Sequence, residues 1–363
     1  LLWDRSFNLA PEACADFATG LWLHQVNQSP TGNFSRHANW LKPRRKRKLK
    51  KTEPGDFSRL VKTGPGFDFP RHGGFYMRTW AEAYERTQNP HYLTAIEIMH
   101  RHMEATRGQE PDGEHAIAFV SGRSYTDGKP GKAKMSHSGS TMSLDMDRWE
   151  VAKVVPEPLA SQLKEATLRD NDIFHKMPHD LAPDGKGFVM MCDKDTLEPG
   201  RYHKPQKSPW SHTWVVGYGM QSDAQVGASC MERYRQCGDE RYTELVVAAA
   251  ERYVGSTPPE KAPLFPGTMG NIIWVMLDAH ELTGRQKYMA EAERYAKMTH
   301  DLFWDREDSP LPRACARRGL PNWDACDWYE MSTGADTLMM AMLRLHLAGQ
   351  QDAPEVSLTY GQR

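Results

Sequence analysis

Three segments of this chain repeat one pattern, two helices joined by a short polar turn, and this repeat limits the folds that are open to it. The segments are 73–103, 223–254 and 270–298. In each, an aromatic residue or a histidine closes the first helix and a tyrosine opens the second helix eight residues later; the pairs are Tyr84 and Tyr92, Tyr234 and Tyr242, and His280 and Tyr288. The turns contain Gly, Asn or Pro, which end one helix and start the next. Because one hairpin cannot bury its own apolar face, we expect the hairpins to stack on one another.

The rest of the chain favours further helices separated by long irregular stretches. Helices are expected at 10–27, 140–155, 157–175 and 328–348, and strand patterns are scarce. Irregular insertions are expected at about 28–70, 108–139, 178–212 and 303–326, where Gly, Pro and polar residues are frequent, and short pieces of 178–212 are expected to form a small β-hairpin. About five hairpins and one or two unpaired helices predict an all-α fold, an (α/α)5–6 toroid. We expect residues 1–363 to form this toroid as a single domain.

Charge and hydropathy exclude some classes of partner. A net charge of −1 gives no overall field that would attract nucleic acid or a membrane surface. No run of about 18 apolar residues is present, so no membrane span is expected. The basic string at 42–51 is either a solvated loop or a collar that attracts a polyanion. The chain starts without Met and resembles a processed terminus, which is compatible with a secreted or periplasmic protein and does not exclude a cytoplasmic one. The sequence does not indicate the oligomeric state.

Cysteine and histidine spacing gives no sign of a metal site. Cys230 and Cys237 lie seven residues apart on a predicted helix, roughly 10 Å along its axis, which is too far for a disulfide. Cys315 and Cys326 are close enough in sequence to pair across a loop. His175 and His179 have the spacing of helical metal ligands, but Pro178 breaks the helix that would align them. No Gly-rich nucleotide motif, P-loop or serine nucleophile elbow is present, so neither a metal nor a cofactor is expected.

The repeated turns and one later string resemble the six-hairpin glycosidase-like superfamily of carbohydrate-active enzymes. Two of the turns place an aromatic residue or a histidine three residues before a Thr or Cys and a following Gly. The string, Trp328-Tyr329-Glu330-Met331-Ser332-Thr333-Gly334, is similar to a Tyr-x-Glu-x-Ser-Gly segment of unsaturated uronyl hydrolases. Two other signatures of those hydrolases are absent, so that resemblance is distant. The superfamily resemblance implies a sugar-binding funnel at one end of the toroid, lined by the long loops that lead into inner helices. The corresponding segments are 66–76, 136–147, 201–218, 264–271 and 323–333.

The polar residues of these segments suit two chemistries. Hydrolysis of a glycosidic bond needs a carboxylic acid and a second carboxylate; the candidates are Asp145, Asp147, Asp223, Asp327 and Glu330. Asp145 and Asp147 point to different sides of a helix and do not both face one sugar. β-Elimination from a uronic acid needs a base, groups that neutralise the carboxylate and a proton donor; the candidates are Arg71, His72, His137, Tyr202, His203, His212 and Tyr218.

The sequence thus predicts an enzyme that cleaves an acidic poly- or oligosaccharide, with hydrolysis as the first expectation and β-elimination a close second. A sugar epimerase or isomerase and a non-catalytic helical-repeat binding protein are further alternatives. The expected catalytic residues are His212, His72, Glu330, Asp145 and Tyr202. The expected substrate-binding residues are Arg71, His137, Asp147, Arg201, His203, Trp210, Trp214, Tyr218, Trp328 and Tyr329.

Overall fold

The structure, a computed structural model, describes residues 2–22, 70–105, 135–193, 196–200, 208–215, 221–260, 263–304, 310–317, 329, 333–350 and 356. The contacts divide the chain into two compact units. The first comprises 1–177 and 191–200, and the second comprises 178–190 and 201–363. The expectation of a single domain stays a prediction.

The first unit contains six helices and one small sheet within its described residues. The helices are α1 (Leu2–Leu9), α2 (Pro11–Trp22), α3 (Pro70–Thr87), α4 (Pro90–Ala105), α5 (Ser138–Val151) and α6 (Leu159–Lys176). Strand β1 (Met135–His137) pairs antiparallel with β2 (Met191–Asp193). Helix α3 packs against α2, α4 and α5, and α5 packs against α6. Trp80 on α3 is fully buried and donates from Nε1 to the carbonyl of Ala18, 3.1 Å away, which ties α2 to the core.

The second unit is built around one central helix. Its helices are α7 (Asp223–Cys237), α8 (Arg241–Glu251), α9 (Pro266–Thr283), α10 (Gln286–Phe303) and α11 (Ala335–Leu347), and β3 (Pro263–Leu264) pairs with β4 (Ala316–Arg317). Every residue of α9 from Thr268 to Ala279 is buried. This follows from its contacts with α7, α8, α10 and α11. The described helices of this unit therefore alternate between inner helices (α7, α9, α11) and outer helices (α8, α10).

The repeated sequence pattern corresponds to a repeated way of ending a helix. In each hairpin, a main-chain carbonyl in the last turn of the first helix accepts the N–H of the residue four positions later. The carbonyl of Tyr84 accepts from Gln88 (2.7 Å), that of Tyr234 from Gly238 (2.7 Å) and that of His280 from Gly284 (2.8 Å). The three donor residues have positive φ values of 55°, 70° and 65°, the left-handed conformation that ends a helix. The tyrosine that opens each second helix is buried. The three predicted hairpins are confirmed.

One predicted helix differs from that observed, and another is confirmed where it is described. The helix expected at 10–27 is α2 (Pro11–Trp22), and residues 23–27 lie outside the described part. The helix expected at 328–348 begins only at Ala335, because Gly334 has a φ of 82° and precedes the first helical turn. Tyr329 therefore lies outside the last helix. Residues 178–212 form short antiparallel bridges, among them Asp180 with Gly187 and Val189 with Trp210.

Two of the described cysteines behave as their spacing predicts. Neither Cys230 nor Cys237 forms a disulfide. Cys315 is disulfide-bonded. Among the described helices, none combines the length and apolar character that crossing a membrane requires.

Candidate functional site

An extended segment of the second unit, residues 209–212, holds the best-defined candidate site. The main-chain N–H of Ser211 donates to the carbonyl of Phe188 (2.8 Å), and that of Met190 donates to Pro209 (2.8 Å). On the other edge, His212 donates to Gln221 (2.9 Å) and its carbonyl accepts from the N–H of Asp223 (2.9 Å). His212 is therefore fixed beside the first turn of α7, where Ser222 caps the helix by accepting the N–H of Gln225 at 3.0 Å.

The side chains on either side of His212 bind one buried carboxylate. Ser211 donates its hydroxyl to Asp223 Oδ1, and Thr213 donates to Asp223 Oδ2 at 3.4 Å. Arg252 Nε donates to the same Oδ2 at 2.7 Å. Gly187 leaves the room for this cluster, because a Cβ at that position would lie 2.6 Å from both Asp223 Oδ1 and Ser211 Oγ. Since successive side chains of an extended segment point to opposite faces, Trp210 and His212 lie on the other face.

The imidazole of His212 has the properties of a proton acceptor. It is half-buried, and it makes no hydrogen bond in the described part of the chain. Partial burial lowers its pKa below the ordinary value for histidine, and the negative charge of Asp223 opposes this shift without cancelling it. The ring is therefore neutral at pH 7 and has a free lone pair, which is the state that a general base needs.

Two tryptophans flank this histidine in sequence and have different surroundings. The exposed Lys186 places its ammonium group 5.5 Å from the centroid of the Trp210 ring. Trp214 instead packs against two buried tyrosines, with ring centroids 5.8 Å from Tyr253 and 6.4 Å from Tyr295. Trp210 is thus beside a cation near His212, whereas Trp214 contacts the turn after α8 and helix α10. Substrate binding by either tryptophan stays a prediction.

Two buried acceptors lie near the starts of inner helices of this unit. Gln221 Oε1 and Asn271 Oδ1 have no hydrogen-bond partner among the described residues. The main-chain carbonyl of Gln221 is bonded to His212, and Asn271 lies in the second turn of α9. Buried polar atoms are nearly always satisfied, so each is a place where a ligand hydroxyl or a water would be stabilised.

In the first unit, each of the two predicted aspartates of α5 forms an ion pair with an arginine. Asp145 is 3.3 Å from Arg148, whose fully buried guanidinium also contacts Asp170 at 3.0 Å. Asp147 is 3.8 Å from Arg78. The two aspartates do face different sides of the helix, as predicted. Each is almost completely buried, so the described surroundings favour structural ion pairs; their roles in catalysis and binding stay predictions.

The structure describes only some of the remaining predicted residues, and some of those without their side chains. Arg71 and His72 lie in the first turn of α3 and His137 lies in β1, but their side chains are outside the described part. Tyr329 is 40% exposed, as a substrate-binding residue would be. The residues outside the described part altogether are Tyr202, Glu330, Arg201, His203, Tyr218 and Trp328, together with Asp327 and the basic string at 42–51. The structure also adds Ser211, Thr213, Lys186 and Arg252, which sequence reasoning did not select.

The described residues contain no group of three or more His, Cys, Asp or Glu side chains with the geometry of a metal site.

Comparisons with known proteins show the fold. No family model and no curated protein matches this sequence. Among solved structures, a D-mannose isomerase superposes with a TM-score of 0.51 at 10% identity, over 93% of this chain and 80% of the isomerase. A polysaccharide lyase superposes with 0.48 at 11% identity, over 97% and 90% of the two chains. A heparin-specific unsaturated glucuronyl hydrolase gives 0.45 at 14% identity, over 92% and 85%.

The chain therefore has an all-α fold of the α/α-toroid kind, which confirms the predicted fold class. Enzymes with this fold catalyse several kinds of carbohydrate reaction, and a fold does not select among chemistries. The choice has to rest on the site.

Proposed function

We propose that this protein is a carbohydrate-active enzyme that acts on an acidic sugar polymer by β-elimination, with His212 as the general base. The observation that carries the proposal is the half-buried imidazole of His212, which makes no hydrogen bond in the described chain and follows Trp210 by two residues in an extended segment. Partial burial lowers its pKa below the ordinary value for histidine. Such a group is suited to removing a proton from a carbon next to a carboxyl group.

Hydrolysis, the first expectation from the sequence, receives less support from the described residues. It requires two carboxylates that reach the glycosidic bond. Asp145, Asp147 and Asp223 are each buried and each paired with an arginine. A carboxylate that is buried and bound to an arginine is poorly placed to reach the glycosidic oxygen of a substrate. The remaining candidates, Asp327 and Glu330, lie outside the described residues.

The proposed reaction assigns a role to each group near His212. A ring nitrogen of His212 takes the proton from C5 of the uronic acid, and the electron pair of that bond forms the C4=C5 double bond. The bond from C4 to the glycosidic oxygen breaks, and the leaving oxygen takes a proton from a donor, for which Tyr202 is the candidate from sequence. The sugar stacks on Trp210 through its apolar C–H face, and the acceptor oxygens of Gln221 and Asn271 bind its hydroxyl groups.

An acidic substrate is supported by the cation beside Trp210. The ammonium of Lys186 forms no ion pair with the described residues and lies 5.5 Å from the Trp210 ring centroid. An uncompensated cation next to an aromatic ring suits a sugar that carries a carboxylate, because the positive charge stabilises the enediolate that forms when the C5 proton leaves. The basic string at 42–51 would add to this attraction if it lies near the substrate.

The test is to incubate the protein with a panel of uronic-acid polysaccharides and follow the ultraviolet absorbance of the new conjugated double bond, with reducing ends measured in parallel. Rising absorbance supports β-elimination. New reducing ends without absorbance would mean hydrolysis, and a change of sugar configuration without cleavage would mean an epimerase or isomerase. The same panel should include the unsaturated products, because a fall in their absorbance would mean hydrolysis of an unsaturated uronyl group.

The assignment of the base is tested by His212→Ala, with His300→Ala as the matched control. His300 is an exposed histidine of α10 in the same unit. We expect His212→Ala to lower turnover by about 10²–10⁴-fold, the usual contribution of a general base, with a melting temperature within a few degrees of the parent. His300→Ala should change neither. Full turnover by a folded His212→Ala protein would remove His212 from the mechanism.

A further inference from the structure

We infer that Asp223 and Arg252 act together as positioning residues, which hold the His212 main chain against α7 and keep a single fixed negative charge beside its imidazole. This inference rests on the proposed role of His212 as the base. Neither residue is placed to touch a substrate, because both side chains are buried. They are therefore expected to act on the reaction only through His212.

One aspartate, Asp223, holds three consecutive residues. The Asp223 main-chain N–H binds the carbonyl of His212 at 2.9 Å, and its two carboxylate oxygens accept the hydroxyls of Ser211 and Thr213. The histidine is thus bound through its own main chain and through both neighbours. This arrangement fixes the main chain from which the imidazole projects and leaves the ring nitrogens available, as a preorganised base requires.

Arg252 stabilises the buried charge of Asp223. Its Nε donates to Asp223 Oδ2 at 2.7 Å, and its two Nη atoms donate to the carbonyls of Ala182 and Gly185, the latter at 2.8 Å. One Nη also approaches the hydroxyl of Thr213 at 3.3 Å. A buried carboxylate without a cation would be strongly destabilised. The planar fork of arginine satisfies all of these acceptors at once, which a lysine does not.

The charges near the His212 imidazole have opposing effects on its protonation. Asp223 is the described group whose charge acts on His212, and it favours the protonated ring. Arg252 lies against the same carboxylate and reduces this effect, and Lys186 is a cation on the Trp210 side. Removing a proton from the substrate creates an imidazolium, so the charge of Asp223 stabilises His212 at the moment when the base becomes positive. Removing the charge of Asp223 and removing the charge of Arg252 should therefore shift the titration of His212 in opposite directions.

The experiment is an NMR titration of the His212 ring in protein labelled at histidine, which does not depend on any activity. Asp223→Asn keeps the shape of the side chain and removes the charge, so the His212 midpoint should move to lower pH. Arg252→Gln leaves the carboxylate less compensated, so the midpoint should move to higher pH. Glu281→Gln, which removes a half-exposed charge from α9 of the same unit, should leave the midpoint unchanged. If Arg252→Gln does not fold, Arg252→Lys replaces it; this variant keeps the charge, so its shift of the midpoint should be smaller than the shift in Asp223→Asn.

Turnover then separates the inference from the proposed function. We expect Asp223→Asn to lower turnover by about 10-fold or more, with the acidic limb of the pH profile moving in the direction of its NMR midpoint. An unchanged His212 midpoint in folded Asp223→Asn would overturn the inference, whatever the activity is. If the midpoint shifts but His212→Ala retains full turnover, the proposed function fails, and the electrostatic coupling between Asp223 and His212 stands without a catalytic role.

Discussion

The main chains of Gly267 and Gly334 meet where the inner helices α9 and α11 begin. A Cβ built on Gly334 would lie only 2.5 Å from the Cα of Gly267, and Gly334 has a φ of 82°. Both observations exclude a side chain at position 334. The string that resembles the uronyl hydrolases ends at this glycine, so part of that resemblance is a packing requirement between two helices.

Gly334→Ala should therefore destabilise the protein by more than its backbone conformation alone explains. Gly238→Ala is the matched control, because Gly238 also has a positive φ, 70°, but nothing lies within 4 Å of its built Cβ. We expect Gly238→Ala to cost about 1–2 kcal/mol and Gly334→Ala to cost a further 1–3 kcal/mol or so from overpacking. Chemical denaturation of both variants measures the difference. Equal losses would mean that α9 and α11 separate at little cost.

Asp145→Asn distinguishes a structural aspartate from a catalytic one. Asp145 lies 3.3 Å from the fully buried Arg148, and the substitution leaves that cation with less compensation. We expect a loss of about 1–3 kcal/mol in the free energy of unfolding and unchanged turnover per folded molecule. Glu150→Gln, on the same helix and paired with the exposed Lys153, should change neither quantity. A large loss of turnover without a loss of stability would restore Asp145 as a catalytic residue.

The hairpins were predictable from sequence because each carries its own local signals. Tyr84, Tyr234 and His280 each accept a main-chain N–H at the end of a helix, so one local event recurs at one sequence spacing. The predicted start of α11, at residue 328, was wrong because no local sequence signal marks the observed start. The apolar pattern of 335–347 continues backwards into 328–334, and only the positive φ of Gly334 reveals where the helix begins.

The candidate site was predictable only in part, because its supporting residues come together through tertiary contacts. His212 and Trp210 stood out as polar and aromatic residues in a predicted funnel segment. The alternation of Ser211 and Thr213 with His212 was visible in the sequence, but nothing local indicated that both hydroxyls bind Asp223. Arg252 comes from the end of α8, 29 residues beyond Asp223 in sequence, and no motif links the two.

Arg344→Met should destabilise the protein more at high pH than at low pH. Asp278 is fully buried, and burial raises its pKa to about 6, although Arg344 at 2.7 Å and Arg235 at 3.2 Å oppose the shift. Because this folded-state pKa is above the unfolded value, ionisation of Asp278 lowers stability as pH rises from about 4 to about 6. Without Arg344 the charged form is still less favourable, so the variant should lose roughly 2–4 kcal/mol at pH 8 and clearly less at pH 5.

Denaturation of this variant at the two pH values, beside Arg241→Met, is the measurement. Arg241 is an exposed arginine paired with Asp239, so its loss should have a small effect that is the same at both pH values. If Arg344→Met is equally destabilising at pH 5 and pH 8, the contribution of Arg344 is its packing over the Trp274 ring, 4.7 Å from the centroid, and its charge pair with Asp278 is secondary.

Glu330→Gln separates elimination from hydrolysis at one of the carboxylates that the sequence predicted to be catalytic. If Glu330 is the acid or base of a hydrolase, turnover should fall by about 10²-fold or more, because the amide keeps the shape of the carboxylate and cannot transfer the proton. The proposed elimination uses His212 instead, so we expect the loss to stay below about 10-fold and the product to retain its ultraviolet absorbance. His212→Ala, measured in the same assay, should instead lose about 10²–10⁴-fold in turnover. A severe loss in Glu330→Gln with retained turnover in His212→Ala would assign the reaction to the carboxylate and to hydrolysis.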